Sequence, residues 1–575
     1  MSQPPHQPPV GTEEPLKPEH SLPSYHEPTP ETHRKISRED EAELALKNTT
    51  FTRGTQTLLI ALFLLTIVAV PAIQLASERR GSVSGLNLFK VLPSWTQWRA
   101  ARGPAAVWHL LPRAAEIKAA EKMIEDESVI SQRLRPHVQS LLTGTFHAGS
   151  EQVYPGRDGW LFYRPDVDYV TGPPFLDPTR MKQRAHASDV QPDPVKAIIA
   201  FRNQLAARGI ELVVMPVPVK PGVDGEMLSD NVRSLGPWQN HSFTEFTARL
   251  RNEGIRTFDP TPLLLARKVA ADGAPLYLET DTHWRPETME FVARELATFL
   301  REAEPSTLQI VETDVFALGD IATMLKLPAG QKIYRPQKVA IRQVIEGNTW
   351  WRPKQEANIL LLGDSFSNIF SLAPMGWSEA AGFAEHLSYA LGRPLDCIVR
   401  NSDGAYATRE ILSRELARGR DRLVGKRVVV WEFAARELAF GDWKLLDLKV
   451  GPPPLVRFFS PKPDEEIVVS GTVVSVSPVP RPGTVPYKDH IATIHLADLK
   501  GAGLSETGSV EALAYLWSMR ENVWTRAARL RPGDRVSVRL RAWAEVSARY
   551  DKINRSEIED ATLQLEEPVW AEPID

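Results

Sequence analysis

The chain has 575 residues and a net charge of −4, with 68 basic and 72 acidic side chains. At roughly 150 residues per domain there is room for about two to four domains, and so even a charge balance argues against a nucleic-acid binder, which carries a basic face. The single cysteine, Cys397, excludes an internal disulfide and a cysteine-based zinc cluster, and fits a cytosolic or periplasmic compartment.

Nine prolines fall in the first 30 residues, among few hydrophobic ones. Such a segment cannot offset the entropy of ordering, so residues 1–56 read as a disordered proline-rich tail. Residues 57–76 read as an uncleaved transmembrane signal anchor, because Leu58 to Ala76 is apolar on every side. At 1.5 Å per residue that stretch spans about 28 Å, close to the hydrocarbon thickness. Three basic residues lie near each end (Arg38, Lys47, Arg53 against Arg79, Arg80, Lys90), so charge does not set the orientation.

Residues 77–150 read as a helical stalk, with Ile117, Ala120, Met123 and Ile124 recurring at helical spacing. Over 151–450, apolar runs at Ile210–Val219, Asn358–Leu362 and Arg427–Glu432 alternate with helical patterns at Pro194–Arg208, His241–Asn252 and Pro286–Ala303. The pattern predicts an α/β domain, a parallel sheet flanked by helices, with its ligand site beyond the C-terminal strand ends. Residues 451–575 open on a Gly-Pro-Pro-Pro linker. Strands are predicted at Glu466–Ser477, Ile491–Leu499, Val510–Trp517, Arg535–Trp543 and Thr562–Glu566. Five short strands with turn signals predict a small β-barrel or sandwich, OB-like or carbohydrate-binding. Tyr515, Trp517, Trp524 and Trp543 could stack on sugars there, but their spacing favours a place in the core.

The chemistry centres on Gly363-Asp364-Ser365-Phe366, where an apolar strand runs into a turn and a helix start. A serine there stands beside free backbone N–H groups, which suits a nucleophile. Its base would be His283, in Asp281-Thr282-His283-Trp284; an acid two residues earlier can bond the ring N–H. A capping or core histidine is the alternative, and a metal pair of Asp281 and His283 lacks a third ligand. Glu432 and Arg436 follow an apolar strand at a spacing that allows a structural ion pair, or Arg436 meets the substrate or the active-site floor. Cys397 reads as a core residue.

Three further stretches stand in order with these: Gly156-Arg157-Asp158-Gly159-Trp160-Leu161-Phe162, Pro216-Val217-Pro218-Val219-Lys220 and Trp431 to Arg436. Together, from about residue 115 to 445, they resemble the alginate O-acetyltransferases of the AlgJ/AlgX type, SGNH hydrolase-like acetyltransferases. In ordinary SGNH esterases the serine comes first; here Asp281 and His283 precede Ser365, the permuted order of that family. The resemblance implies Ser365 as nucleophile, His283 as base and Asp281 as orienter. Trp284, Arg436, Lys220 and Asn401 are the substrate-side candidates; the resemblance does not assign the oxyanion side-chain donor, for which Asn401 is offered, and no metal or cofactor is expected. It implies a polysaccharide acceptor, a membrane-bound O-acyltransferase as acetyl relay, and an inner-membrane protein with its catalytic domain in the periplasm. An acetylesterase with the same triad and a non-catalytic glycan-binding scaffold are the alternatives. The region after residue 450 shows no match to the carbohydrate-binding module of the AlgX type.

Overall fold

The computed structural model describes residues 52–79 and most of 128–574, leaving out 189, 231–237, 302–303, 402–403, 453–455, 502–503, 505–508 and 561. Between these, only 99, 103, 116–118 and 121 are described. The expected disordered tail lies almost wholly outside the described residues, as does most of the expected stalk. Two compact units divide the chain, residues 1–131 and 132–575. In the first, Arg53–Arg79 is a single helix, long and apolar enough by length and composition to cross a membrane. A further helix, Val129–Phe146, leads into the second.

The second unit is built on a five-stranded, wholly parallel sheet: β1 (Glu211–Val217), β2 (Arg256–Thr257), β3 (Ile359–Gly363), β4 (Asp396–Val399) and β5 (Val428–Ala434), in the order β2-β1-β5-β3-β4. Every residue of β3 and β5 is buried, which is why they read as continuous apolar runs, broken in β5 only by Glu432, rather than as alternation. Alternate side chains feed two separate cores. Val213, Leu361 and Val430 pack with the helix Pro286–Leu300 on one face. Val214, Leu360 and Trp431 pack with Pro194–Ala206 and Phe243–Asn252 on the other. The predicted strands and helices of this region are all present, with ends shifted by a few residues.

Several elements have no counterpart in the sequence reading, among them the sheet strands Arg256–Thr257 and Asp396–Val399 and one separate small sheet. Gln309–Ala317, Gln337–Glu346 and Thr349–Trp350 form a small antiparallel sheet. Its first strand is exposed along almost its whole length, so no hydrophobic alternation announces it.

The C-terminal region is a closed barrel of β6 (Ile467–Val476), β7 (His490–Gly501), β8 (Ser509–Arg520), β9 (Arg535–Ala542) and β10 (Val569–Pro573). The ring runs β6-β7-β8-β10-β9 and back to β6, with β8 and β10 parallel and the other pairs antiparallel. Five strands closed in this order make a small β-barrel rather than a sandwich. The strand predicted at Thr562–Glu566 is a correction. Leu563–Leu565 is a 3-10 turn, begun by the Asp560 carboxylate accepting the Thr562 N–H at 2.8 Å. Leu565 is 86% exposed, so its alternation with Leu563 marks no buried face. The true last strand carries Val569, Trp570 and Ala571 into the interior. Tyr515, Trp517 and Trp543 pack around Trp570, while Trp524 meets Trp350 of the small sheet edge-on at 4.1 Å.

Candidate active site

At the C-terminal end of β3 the chain turns sharply into the single helical turn Ser365–Asn368. Gly363 is required there: a Cβ would fall 2.5 Å from Ser367 Oγ and 2.9 Å from Glu432 Oε2. Asp364 caps the turn. Its Oδ1 accepts the Phe366 N–H at 2.8 Å and its Oδ2 the Ala434 N–H at 2.8 Å, stapling the turn to the end of β5. Glu432, on β5, completes the support. Its Oε2 accepts the Asp364 N–H at 3.0 Å and the Ser367 hydroxyl at 2.6 Å. Burial, with the charge of Asp364 beside it, pushes the Glu432 carboxyl well above its ordinary pKa.

Ser365 Oγ lies 2.9 Å from His283 Nε2, and His283 Nδ1 lies 2.7 Å from Asp281 Oδ1. The three predicted residues thus form one hydrogen-bonded line. Asp281 is fully buried and fully engaged. Its Oδ1 also accepts the His283 backbone N–H at 3.1 Å; its Oδ2 accepts the Trp377 indole N–H at 2.8 Å and the Asp320 N–H at 3.0 Å. Burial opposes its charge, but these donors prevail and hold its pKa well below the usual carboxylate range. For His283, burial favours the neutral ring, yet the bond and charge of Asp281 outweigh it, with Asp320 adding, and its pKa stands above the ordinary value.

Asp320 is a residue the sequence reading missed. Its carboxylate accepts the Thr282 N–H at 2.8 Å and the Thr282 hydroxyl at 2.9 Å, and Oδ2 lies 3.9 Å from His283 Nδ1. Burial and the neighbouring Asp281 raise its pKa to about 6. Asp281, His283 and Asp320 bring three ligand-type atoms within 4.8 Å of one another, which supplies the third metal-type ligand that the sequence seemed to lack. That donor set is spent, however, because the Asp281 oxygens and His283 Nδ1 are already committed to each other and to N–H groups. The signal for Asp320 was Gly319-Asp320, a Gly-Asp turn like Gly363-Asp364. A Cβ at Gly319 would lie 2.3 Å from Thr280 O, so only glycine lets this segment approach the Asp281 loop. Trp377 carried no such signal.

The predicted substrate-side residues divide. Trp284 is fully buried; its indole N–H donates to Phe366 O at 3.2 Å and its ring stacks on Phe383. Lys220 is also fully buried, its ammonium donating to the carbonyls of Leu161, Glu279 and Asp281 at 2.6, 2.8 and 3.1 Å. Neither has surface to offer a ligand, which corrects their assignment: both brace the loops that carry Asp281, His283 and Ser365. Arg436 pairs with buried Asp166 at 3.0 Å and not with Glu432. The expected ion pair fails because Glu432 lies within a strand and Arg436 beyond its end, so helical spacing does not apply. Asn401, just past β4, accepts a bond from Asn368 Nδ2 at 2.9 Å and points its own Nδ2 at the weak acceptor Met375 Sδ.

Residues 153–435 match the family model described as "SGNH hydrolase-like domain, acetyltransferase AlgX". The chain is similar to the "Probable alginate O-acetylase AlgJ" of Pseudomonas syringae pv. tomato, with 30% identity over 220 residues, 36% of this chain and 50% of that one. The same protein of Pseudomonas fluorescens is 26% identical over 336 residues, 56% of this chain and 77% of that one. Among solved structures, the O-acetyltransferase domain of Pseudomonas putida AlgJ aligns at 22% identity and a TM-score of 0.37, covering 50% of this chain and 92% of that one. The match therefore spans only half the length of the P. syringae relative. With its motifs in the family's order, the domain spanning residues 153–435 belongs to the AlgJ/AlgX-type family of SGNH hydrolase-like acetyltransferases.

Proposed function

We propose that this chain is a membrane-anchored O-acetyltransferase that carries acetyl on Ser365 and delivers it to hydroxyl groups of an exported polysaccharide of the alginate type. The observation that carries the reading is the line Ser365 Oγ–His283–Asp281, with contacts of 2.9 and 2.7 Å at the end of a parallel strand. Ser365 attacks the acetyl carbonyl carbon while His283 Nε2 takes its proton. The tetrahedral intermediate collapses to acetyl-serine as His283 returns that proton to the departing donor. The acceptor hydroxyl then gives its proton to His283 and attacks the acetyl-serine, and the proton finally returns to Ser365 Oγ. Asp281 holds the ring in one tautomer throughout and stabilises its cationic form.

The passing oxyanion needs N–H donors. The Phe366 N–H is taken by Asp364, whereas the Ser365 N–H has no acceptor among the described residues and is the backbone donor in this scheme. Asn401 Nδ2, held only by a thioether, is the side-chain donor. In this reading the helix Arg53–Arg79 anchors the chain in the inner membrane, the N-terminal tail lies in the cytoplasm and the catalytic region in the periplasm. Because acetyl-CoA is cytosolic, a membrane-bound O-acyltransferase would relay the acetyl group.

The test uses the full chain in detergent with a small aryl acetate as donor and candidate oligosaccharides as acceptors. Ser365-dependent acetyl on sugar is expected, and Ser365→Ala should lower turnover by roughly a thousandfold or more. Turnover unchanged in Ser365→Ala would refute the mechanism; Ser365-dependent release to water alone, whatever sugar is present, would make the protein an esterase. A C-terminal reporter active only in the cytoplasm would overturn the orientation.

A further inference from the structure

Between the catalytic region and the barrel lies a cleft of about 1030 Å³ whose walls come from both. Ten arginines and five carboxylates line it, in a chain whose net charge is −4. Several of these arginines are committed. Arg420 holds Glu415 at 2.7 Å and Asp498 at 2.9 Å, Arg422 holds Asp396 at 2.5 Å, and Arg529 holds Glu379 at 3.0 Å.

Three others are not. Arg352 is largely enclosed and donates to Ala528 O at 2.8 Å, with no ion-pair partner among the described residues. Burial and then the like charge of Arg531 lower its pKa to about 10, so it stays cationic at neutral pH. Arg414, on the catalytic-region helix Ala407–Ala417, and Arg535, at the start of β9, are exposed and have no ion-pair partner among the described residues. Arg531 beside Arg352 pairs with Glu385 at 3.4 Å, whereas Arg352 has no carboxylate at ion-pair distance among the described residues, and an enclosed guanidinium without one is costly. The planar guanidinium fork matches a carboxylate at two points.

The wall of the cleft adjoins the Ser365 turn, although Ser365 and His283 do not themselves line it. It includes Leu372 to Pro374, which follow the Ser365 turn, and Arg400, whose backbone N–H bonds Gly363 O at 3.0 Å. Asn401, the next residue, is bonded to Asn368 in the turn that Ser365 begins. We infer that this cleft binds a stretch of an acidic polysaccharide through its carboxylates, with Arg352 and Arg414 on one wall and Arg535 of the barrel on the other. The barrel is thereby part of the acceptor site. The inference rests on the reading of Ser365 as an acetyl carrier for a glycan, since that is what makes a sugar chain, rather than another polyanion, the occupant of a cleft ending at this strand.

The test is a titration of the full chain in detergent with a fluorescent oligouronate, a neutral glucan oligomer of equal length and a single-stranded oligonucleotide of equal length. The oligouronate should bind, more weakly as salt rises, and the neutral oligomer should not. The double variant Arg414→Gln/Arg535→Gln should weaken oligouronate binding by about tenfold or more while aryl acetate turnover stays at the wild-type level. Arg352→Gln should weaken binding further, and the turnover assay reports whether that variant is folded. Equal affinity of the double variant and wild type, equal affinity for the neutral oligomer, or tighter binding of the oligonucleotide would each overturn the proposal. Oligouronate binding without any Ser365-dependent turnover would sink the transferase reading instead, so the two failures are distinguishable.

Discussion

Asp320→Asn is the substitution that best separates a working base from a merely buried histidine. The Asp320 carboxylate lies 3.9 Å from His283 Nδ1, and its side chain is 32% exposed. Two unit charges 4 Å apart interact by about 1 kcal/mol in bulk water and about 4 kcal/mol at the effective dielectric of a protein surface. Partial exposure places this pair toward the lower figure, and about 1.4 kcal/mol is one pKa unit. The sign follows from the chemistry. His283 must be neutral to accept the Ser365 proton, so the rate falls as pH drops through the His283 pKa. Asp320 stabilises the cationic ring and raises that pKa, so the wild-type acid limb should lie above the ordinary histidine value of about 6.5. Removing the charge should carry the limb down by about one unit. Asp320 itself titrates near 6, and as it takes up a proton its pull on His283 fades. The wild-type limb should therefore be broad, and that of Asp320→Asn should narrow to a single proton. The fold is spared because the Asp320 backbone N–H still reaches Asp281 and an amide oxygen can still accept the Thr282 N–H. The assay is kcat/KM for an aryl acetate between about pH 4.5 and 8.5, with Ser365→Ala as the blank. A limb that stays in place or moves upward would refute the reasoning.

Three further substitutions test the supports around the nucleophile. Gly363→Ala puts a methyl group 2.5 Å from Ser367 Oγ; it should destabilise the fold by about 1–3 kcal/mol and lower Tm. Glu432→Gln replaces a carboxyl whose pKa burial raises with a neutral group of the same shape, and should fold and turn over like wild type. Because the folded pKa of Glu432 is raised, its contribution to stability is full below the unfolded value and declines as pH rises toward the folded one. Denaturant titrations should therefore show wild type losing more stability than Glu432→Gln as pH rises above the unfolded glutamate value of about 4.3, and equal losses would contradict a raised Glu432 pKa. Trp377→Phe removes the indole donor to the buried Asp281 carboxylate, a charged hydrogen bond of about 1.5–3 kcal/mol. Its kcat/KM should drop by roughly tenfold or more with KM little changed; a rise in KM alone would make Trp377 a substrate contact.

What the sequence disclosed follows burial. β3 and β5 have no exposed residue, so β3 is apolar throughout and β5 is apolar but for Glu432. The exposed strand Gln309–Ala317 gave no run to read. Thr562–Glu566 imitated a strand because a two-residue alternation over so short a stretch suits a capped turn as well. In the site, Ser365 and the Asp281–His283 pair were legible because each sits in a short motif whose spacing is chemical. Asp320 and Trp377 reach Asp281 from 39 and 96 residues away, and no local spacing encodes such a meeting. Arg436 was placed correctly near the site but paired with the wrong acid, since Asp166 lies 270 residues earlier in the chain.

Lys220 and Trp284 show a different limit. Each belongs to a motif that borders the site, and position in such a motif tells where a residue lies but not which way it faces. Their directions explain why the motifs occur together. The loop that carries Asp281 and His283 is not a strand of the sheet, so it needs holding from outside. Lys220, at the end of β1, fastens it through the Glu279 and Asp281 carbonyls while also reaching Leu161 of the Gly156–Phe162 segment. Trp284 ties the same loop to Phe366 in the Ser365 turn. Four of the five motifs thus meet through two fully buried side chains, and Arg436 lies over the Phe366 ring from the fifth. The constraint is on mutual placement, so the order of the motifs along the chain is free to be permuted provided these ties are kept.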